Sequence, residues 1–372
     1  MNMRCALVLL CFLPASIRSF AGSHPGAVRE GGGGFAVIGY SIGRGGGMDD
    51  STAGKLTHVI YSFLHLKGGM LALNGPRDSA AIASLVALRE RHPNLRVLVS
   101  LGGWGGCADC SGVFATPRGR KDFVRSALRV LSETRTDGLD IDWEYPAFEG
   151  YPGHAYAPED RHNFTLLVRE LRETLGTKYE LSFASGGFAA CIRASIEWAD
   201  VMPLVDRVNV MTYDFVNGNS TVTGHQTALY SGPGQVESTD NAVRLLDSLG
   251  VPPEKIVIGA AFYARVWGGV PDTNNGLFQP GRFVRYVPYR DLGAYFRQNS
   301  GFTPLWDSTS GAPFSYSAEN GLFATYDDPR SAASKTSYAL RKHLGGIMFW
   351  ELGGDTPSHE LLNAIESTRR PP

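Results

Sequence analysis

The chain has 372 residues, 43% hydrophobic and 19% charged, which excludes a disordered chain and suits one large α/β domain with an insertion. Its formal net charge is −1 with no long basic run, so neither nucleic acid nor an anionic membrane is an expected partner. Aromatic residues reach 11%, which fits sugar binding without being specific to it.

The first residues have the pattern of an export signal. Met1 to Arg4 is a short basic start, and Ala6 to Leu13 is an apolar run too short to span a bilayer. Ser19-Phe-Ala21 places small residues at positions −3 and −1 before a cleavage after Ala21. The expectation is a signal peptide over 1–21 and a secreted protein, extracellular or periplasmic. Residues 22–34, with Gly31 to Gly34 in a row, read as a flexible lead-in. Cleavage removes Cys5 and Cys11 and leaves Cys107, Cys110 and Cys191. In an oxidising compartment Cys107-Ala-Asp-Cys110 could close a small disulfide loop. Three cysteines cannot all pair, so one stays free in a monomer, which is the default expectation for this chain. No further ligands gather near them, and the histidines show no ligand spacing, so neither a metal nor a cofactor is expected.

Beyond the lead-in, short apolar runs alternate with helix-like stretches. The runs are Phe35–Tyr40, Leu56–Phe63, Leu95–Leu101, Asp137–Trp143, Tyr179–Ala184, Arg207–Thr212, Lys255–Ala261 and Gly345–Trp350. Helical patterns fall at Ser79–Arg91, Lys121–Thr134, Pro158–Leu175 and Ser238–Leu249. Such alternation implies a parallel sheet, and eight runs are the number that closes a (β/α)8 TIM barrel, here over 35–365. The stretch 266–337 is longer than a barrel connection. It holds strand-like Thr303–Asp307, Pro313–Tyr316 and Gly321–Tyr326 and a helix-like Tyr289–Gln298, so a small α+β insertion is expected between strands seven and eight.

The most specific signal is Asp137-Gly-Leu-Asp140-Ile-Asp142-Trp-Glu144. Acidic and apolar residues alternate with a period of two, so on a strand Asp140, Asp142 and Glu144 share one face and Leu139, Ile141 and Trp143 the other. Carboxylates stacked on a buried strand cost stability and are kept where the charge does chemistry. They cannot all ionise at neutral pH, so one should hold a proton, as a general acid requires. A calcium loop is the competing reading, but the interleaved residues are bulky and there is no turn glycine. Further distinctive residues sit at the ends of other runs: Ser100-Leu-Gly102-Gly103-Trp104, Met211-Thr-Tyr213-Asp214, Tyr263-Ala-Arg265 and Trp350-Glu351. Catalytic loops of a barrel lie at those ends.

These motifs carry a resemblance. Asp137 to Pro146 resembles the signature of the family 18 glycoside hydrolases, the chitinases. Ser100-Leu-Gly102-Gly103 is similar to that family's SxGG segment, and Met211-Thr-Tyr213-Asp214 to its strand-six motif. Gly346-Ile-Met-Phe-Trp350-Glu351 is similar to its strand-eight ending, and the expected insertion to its chitinase insertion domain. The resemblance implies a secreted chitinase of bacterial type, acting on chitin and chito-oligosaccharides without a cofactor. It implies a retaining, substrate-assisted mechanism, an exception to the two-carboxylate scheme. Glu144 would be acid and base, Asp142 would hold the acetamido N–H, and Asp140 would share a proton or hydrogen bond with it. Tyr213 would fix the attacking acetamido oxygen, Asp214 would touch the −1 sugar, and Trp350 would form its floor. Met211, Tyr40, Tyr145 and Arg265 are candidate cleft residues, and Trp104 and Trp267 candidate outer subsites. Ser100, Gly102, Gly103 and Asp137 are expected near the site in structural roles. Two other readings share these motifs: an endo-N-acetylglucosaminidase acting on glycoprotein glycans, and a non-catalytic chitin-binding lectin. The presence of Glu144 with both aspartates favours an enzyme.

Overall fold

The computed structural model describes residues 34–43 and 48–370. The expected signal peptide, most of the lead-in, Cys5 and Cys11 lie outside the described residues. Eight parallel strands form the barrel: β1 (Ala36–Ser41), β2 (His58–Lys67), β4 (Arg96–Gly102), β5 (Gly138–Asp142), β6 (Glu180–Gly186), β7 (Arg207–Met211), β8 (Ile256–Ala261) and β14 (Gly346–Trp350). Pairing of β1 with both β14 and β2 closes the sheet. The short β3 (Met70–Ala72) pairs antiparallel with the end of β2.

Strand side chains alternate between the barrel interior and the surrounding helices. The outward residues, such as Val97, Val99, Leu139, Ile141, Leu181 and Phe183, join the main apolar core with the helices. Pro117–Thr134 and Asp160–Leu175 are typical, and each turns its apolar stripe inward. Thr116 caps the first of these by accepting from the Gly119 amide at 3.0 Å, and Pro117 follows at its first position. The inward residues form a second, smaller apolar cluster that includes Ile38, Ile60, Leu98, Val257 and Met348. That cluster fills one side of the barrel. The opposite side, facing β5, β6 and β7, is polar.

Between β8 and β14 a five-stranded antiparallel sheet rises from the barrel. It comprises β9 (Tyr263–Gly268), β10 (Arg282–Pro288), β11 (Phe302–Asp307), β12 (Ala312–Ser317) and β13 (Leu322–Thr325), in the order β10-β9-β13-β12-β11, with one helix at Tyr289–Gln298. The sheet differs from the sequence expectation at both ends. It starts at Tyr263, not Val266, because the chain passes from β8 into β9 through one apolar residue, Phe262, with no turn signal. It ends at Thr325, because Pro329–Arg341 is a helix whose Ala332, Tyr338 and Ala339 belong to the barrel's core. No described helix is long and apolar enough to cross a membrane.

Candidate active site

Strand β5 delivers the acidic cluster to the barrel interior. Asp140 is fully buried and held by four donors: Ser182 Oγ at 2.6 Å, Ser100 Oγ at 2.8 Å, Asn209 Nδ2 at 3.1 Å and the Tyr40 hydroxyl at 3.2 Å. Burial raises its pKa, and these hydrogen bonds oppose the rise. Ser100 reaches it because β4 and β5 are in register there, with Ser100 opposite Asp140 and Asp140 opposite Ser182 on β6. Ser182 and Asn209 were not singled out by the sequence. Their signal was the alternation of polar residues along β6 and β7, which carries no motif.

Asp142 lies one step further along the same face. Its Oδ1 is buried with no hydrogen-bond partner among the described residues. Burial, then the charges of Glu144 and Asp140, hold its carboxyl well above the ordinary range. Glu144 follows the strand end and is half-buried. Burial pushes its pKa up to about 7, a hydrogen bond with Tyr145 pulls it back, and the charge of Asp214 adds to the rise. The three acids behave as one interacting group, so a proton remains among them near neutrality. An acceptor without a partner beside a carboxyl that can give and regain a proton suits general acid–base chemistry.

The end of β7 supplies the opposite wall. Tyr213 is buried, with its hydroxyl 3.8 Å from Met348 Sδ and its ring edge-on to Tyr263. Asp214 has φ of +59° and is clamped by Arg265, Nε at 2.6 Å and Nη2 at 2.7 Å, with the Tyr263 hydroxyl at 2.7 Å. Arg265 lies on β9, so the inserted sheet reaches into the site. Met211 is half-buried and packs against the interior cluster to which Tyr40, Tyr213 and Met348 belong. Trp350 stacks on Phe63 with centroids 5.5 Å apart and planes 15° apart, and tilts against Tyr40 at 5.9 Å. Phe63 was not among the sequence candidates, and Tyr263 stood only in a strand-end motif with no role given to it.

Gly102 and Gly103 are required by geometry. Gly102 has φ of +108°, and a Cβ there would lie 2.2 Å from the Asp142 carbonyl oxygen. Gly103, at φ of +77°, donates its N–H to that same oxygen at 2.9 Å, and a Cβ would strike the Phe63 ring. Strand β4 can therefore pass the acid strand only as backbone. Tyr145 packs edge-on against Phe148 and Phe188 beside Glu144. Trp104 is 56% exposed and meets Tyr151 edge-on at 5.6 Å. Asp137 sits at the far end of β5, paired with Arg89 at 2.7 Å and accepting the Val97 amide at 2.8 Å. Trp267 is a correction: it is fully buried, with Nε1 donating to the Ser220 carbonyl at 2.9 Å, and so presents no surface to a sugar. Cys107 and Cys110 form a disulfide, and Cys191 is free and buried. Among the described residues no cluster of His, Cys, Asp or Glu could hold a metal ion.

The model of glycosyl hydrolases family 18 matches residues 37–355, and the chain belongs to that family. It is 37% identical over 303 residues to Chitinase A1 of Niallia circulans, covering 74% of this chain but 42% of that protein. It is 31% identical over 383 residues to Chitinase B of Serratia marcescens, covering 84% of this chain and 76% of that one. The chain thus spans less than half of one chitinase and about three quarters of the other. Among solved structures, a family 18 N-acetylglucosaminidase from Paenibacillus barengoltzii aligns with a TM-score of 0.82 and 36% identity, over 90% of this chain and 99% of that one. Chitinase ChiA74 from Bacillus thuringiensis aligns with a TM-score of 0.84 and 29% identity, over 90% and 70% of the two chains.

Proposed function

We propose that this chain is a secreted chitinase that cleaves β-1,4-linked N-acetylglucosamine chains by a retaining, substrate-assisted route. The observation that carries the reading is the placement of Glu144 just past the end of β5, two residues beyond Asp142, where burial pushes its carboxyl up to about 7. Chitinase relatives along most of the barrel support the substrate.

In this mechanism the acetamido oxygen of the −1 sugar attacks its own anomeric carbon. The glycosidic C–O bond breaks as Glu144 gives its proton to the leaving oxygen. Asp142 Oδ1 accepts the acetamido N–H, which orients the nucleophile and balances the positive charge of the oxazolinium. Tyr213 donates to the acetamido carbonyl. Glu144, now a carboxylate, takes a proton from the water that opens the ring from the face the leaving group vacated, so configuration is retained. Asp140 tunes Asp142 through a shared hydrogen bond or proton. Asp214 contacts the −1 sugar, and Trp350 offers its indole as an apolar floor. The chain acts as a monomer on chitin and chito-oligosaccharides.

The test is mass spectrometry of products from the N-acetylglucosamine hexamer, with wild type and Glu144→Gln. Cleavage by wild type and a loss of several orders of magnitude in the variant is expected, because an amide cannot donate the proton. Equal activity in both would overturn the role of Glu144. Single sugars released from one end, rather than internal fragments, would move the reading toward the activity named for the Paenibacillus relative. Binding without cleavage by the wild type would make the chain a lectin, and neither would point to another glycan.

A further inference from the structure

We infer that Lys335, Asp327 and Thr227 form a positioning device that sets the Thr212–Asp214 turn, and through it Tyr213 and Asp214. The inference rests on the roles proposed above for those two residues. Lys335 belongs to the helix Pro329–Arg341 and Asp327 precedes it; both are fully buried, with Nζ 2.7 Å from Oδ2. A buried ion pair is a poor source of stability, since an apolar packing of the same volume does as well or better. Its value here lies in direction.

Asp327 Oδ2 also accepts the Ala261 amide at 2.8 Å, and Oδ1 accepts Ser331 Oγ at 2.7 Å. Lys335 Nζ further donates to Thr227 Oγ1. That hydroxyl lies 3.2 Å from Asp327 Oδ2 and 3.1 Å from the Thr212 carbonyl, and its single proton can serve one acceptor at a time. With Oδ2 already supplied by Lys335 and Ala261, the proton goes to Thr212. Thr212 is held from the other side too, its Oγ1 donating to Gly259 O at 2.9 Å and accepting from Gly259 N at 2.8 Å. Gln226 completes the brace, accepting the Phe215 amide at 3.1 Å and donating to the Tyr263 carbonyl at 2.9 Å. The turn that presents Tyr213 and Asp214 is therefore fixed at its first carbonyl and at the amide that follows it, by groups that do not reach the acids.

Lys335→Met leaves a buried carboxylate without its cation and endangers the fold, so the primary variant is Thr227→Val, with Thr227→Ser as the conservative rescue. Kinetics on the hexamer should show kcat down by about tenfold or more in Thr227→Val with KM little changed, since a small displacement of a positioned group is costly. Thr227→Ser should keep the wild-type kcat. Leu171→Ala, a buried helix residue remote from the turn, should lower stability and leave the kcat of the folded fraction unchanged. Hydrogen exchange of the 207–217 peptide should quicken in Thr227→Val alone. Unchanged exchange there, unchanged kcat in folded Thr227→Val, or failure of Thr227→Ser to restore kcat would each overturn the inference. If the wild type leaves the hexamer intact, the proposed function fails separately, and the exchange measurement still decides whether the device holds the turn.

Discussion

Glu144 shows most directly how burial becomes chemistry. Burial pushes its carboxyl up to about 7 from an ordinary value of 4.5, so the folded state holds a proton that the unfolded state has lost through that window. Folding stability contributed by this group is thus greatest below pH 4.5 and falls as pH rises through about 7. Two outcomes follow. In the wild type the alkaline limb of the kcat/KM profile should fall as Glu144 ionises near pH 7, which a pH–rate series on the hexamer checks. In Glu144→Gln the melting temperature should exceed that of the wild type at pH 8 by more than at pH 5, because only the ionised acid strains the site; an equal difference at both would contradict it. Asp140, Asp142 and Glu144 were legible in the sequence because a period of two on a buried strand leaves them one face. Ser182 and Asn209, which hold Asp140, were not, since a lone polar residue on an interior strand looks like any other. Trp267 was misjudged for a related reason: an indole carries no local mark of whether it faces solvent or a core.

Strand β4 shows what an element must give up to pass an active site. Gly102 approaches the Asp142 carbonyl so closely that any side chain displaces β5, and its φ of +108° is one that other residues rarely adopt. Gly102→Ala should therefore lower stability by about 1–3 kcal/mol from backbone strain alone. It should also reduce kcat, because the shift falls on the acid strand. Denaturant unfolding together with hexamer kinetics checks this, and a stable variant with full activity would refute it. The barrel strands were legible to within a few residues because each is a short apolar run between helical patterns. The inserted sheet was less so. Its strands β9 and β10 carry no alternation strong enough to separate them from the preceding strand or from loop. The contact of Arg265 with Asp214 joins residues 51 apart in sequence, one on the inserted sheet and one in the turn after β7, and no local pattern announces it.

On the scale of the whole molecule, the polar side of the barrel interior is a column of ionisable groups beside an apolar cluster. Below the acids, Glu180 is buried among His58 at 3.1 Å, Arg207 at 2.9 Å and Arg96 at 3.7 Å, the Arg207 approach being an ion pair whose angle does not make a hydrogen bond. Burial alone would raise the Glu180 pKa, but the His58 ring and the two guanidinium groups outweigh it and hold it at about 2. A depressed carboxylate stabilises the fold above its unfolded value of 4.5, and that contribution is lost as pH falls toward about 2. Glu180→Gln should cost about 3–5 kcal/mol at neutral pH, as expected for breaking a buried charge network. The cost should shrink toward pH 2, which denaturation at several pH values would show; a penalty independent of pH would refute it. Stability is thus pulled two ways by acids in one column, Glu180 favouring higher pH and Glu144 lower.

The inserted sheet leaves the barrel after Ala261 and returns at Asp327, and one side chain spans the gap by accepting the Ala261 amide at 2.8 Å. Departure and return therefore meet at one point on the scaffold, and the inserted sheet is separate from the eight-stranded one beneath it. A wall mounted in this way is a cassette. It can be exchanged while the catalytic strand stays in place, provided it still aims Arg265 and the Tyr263 hydroxyl at Asp214 and offers the Tyr263 carbonyl to Gln226.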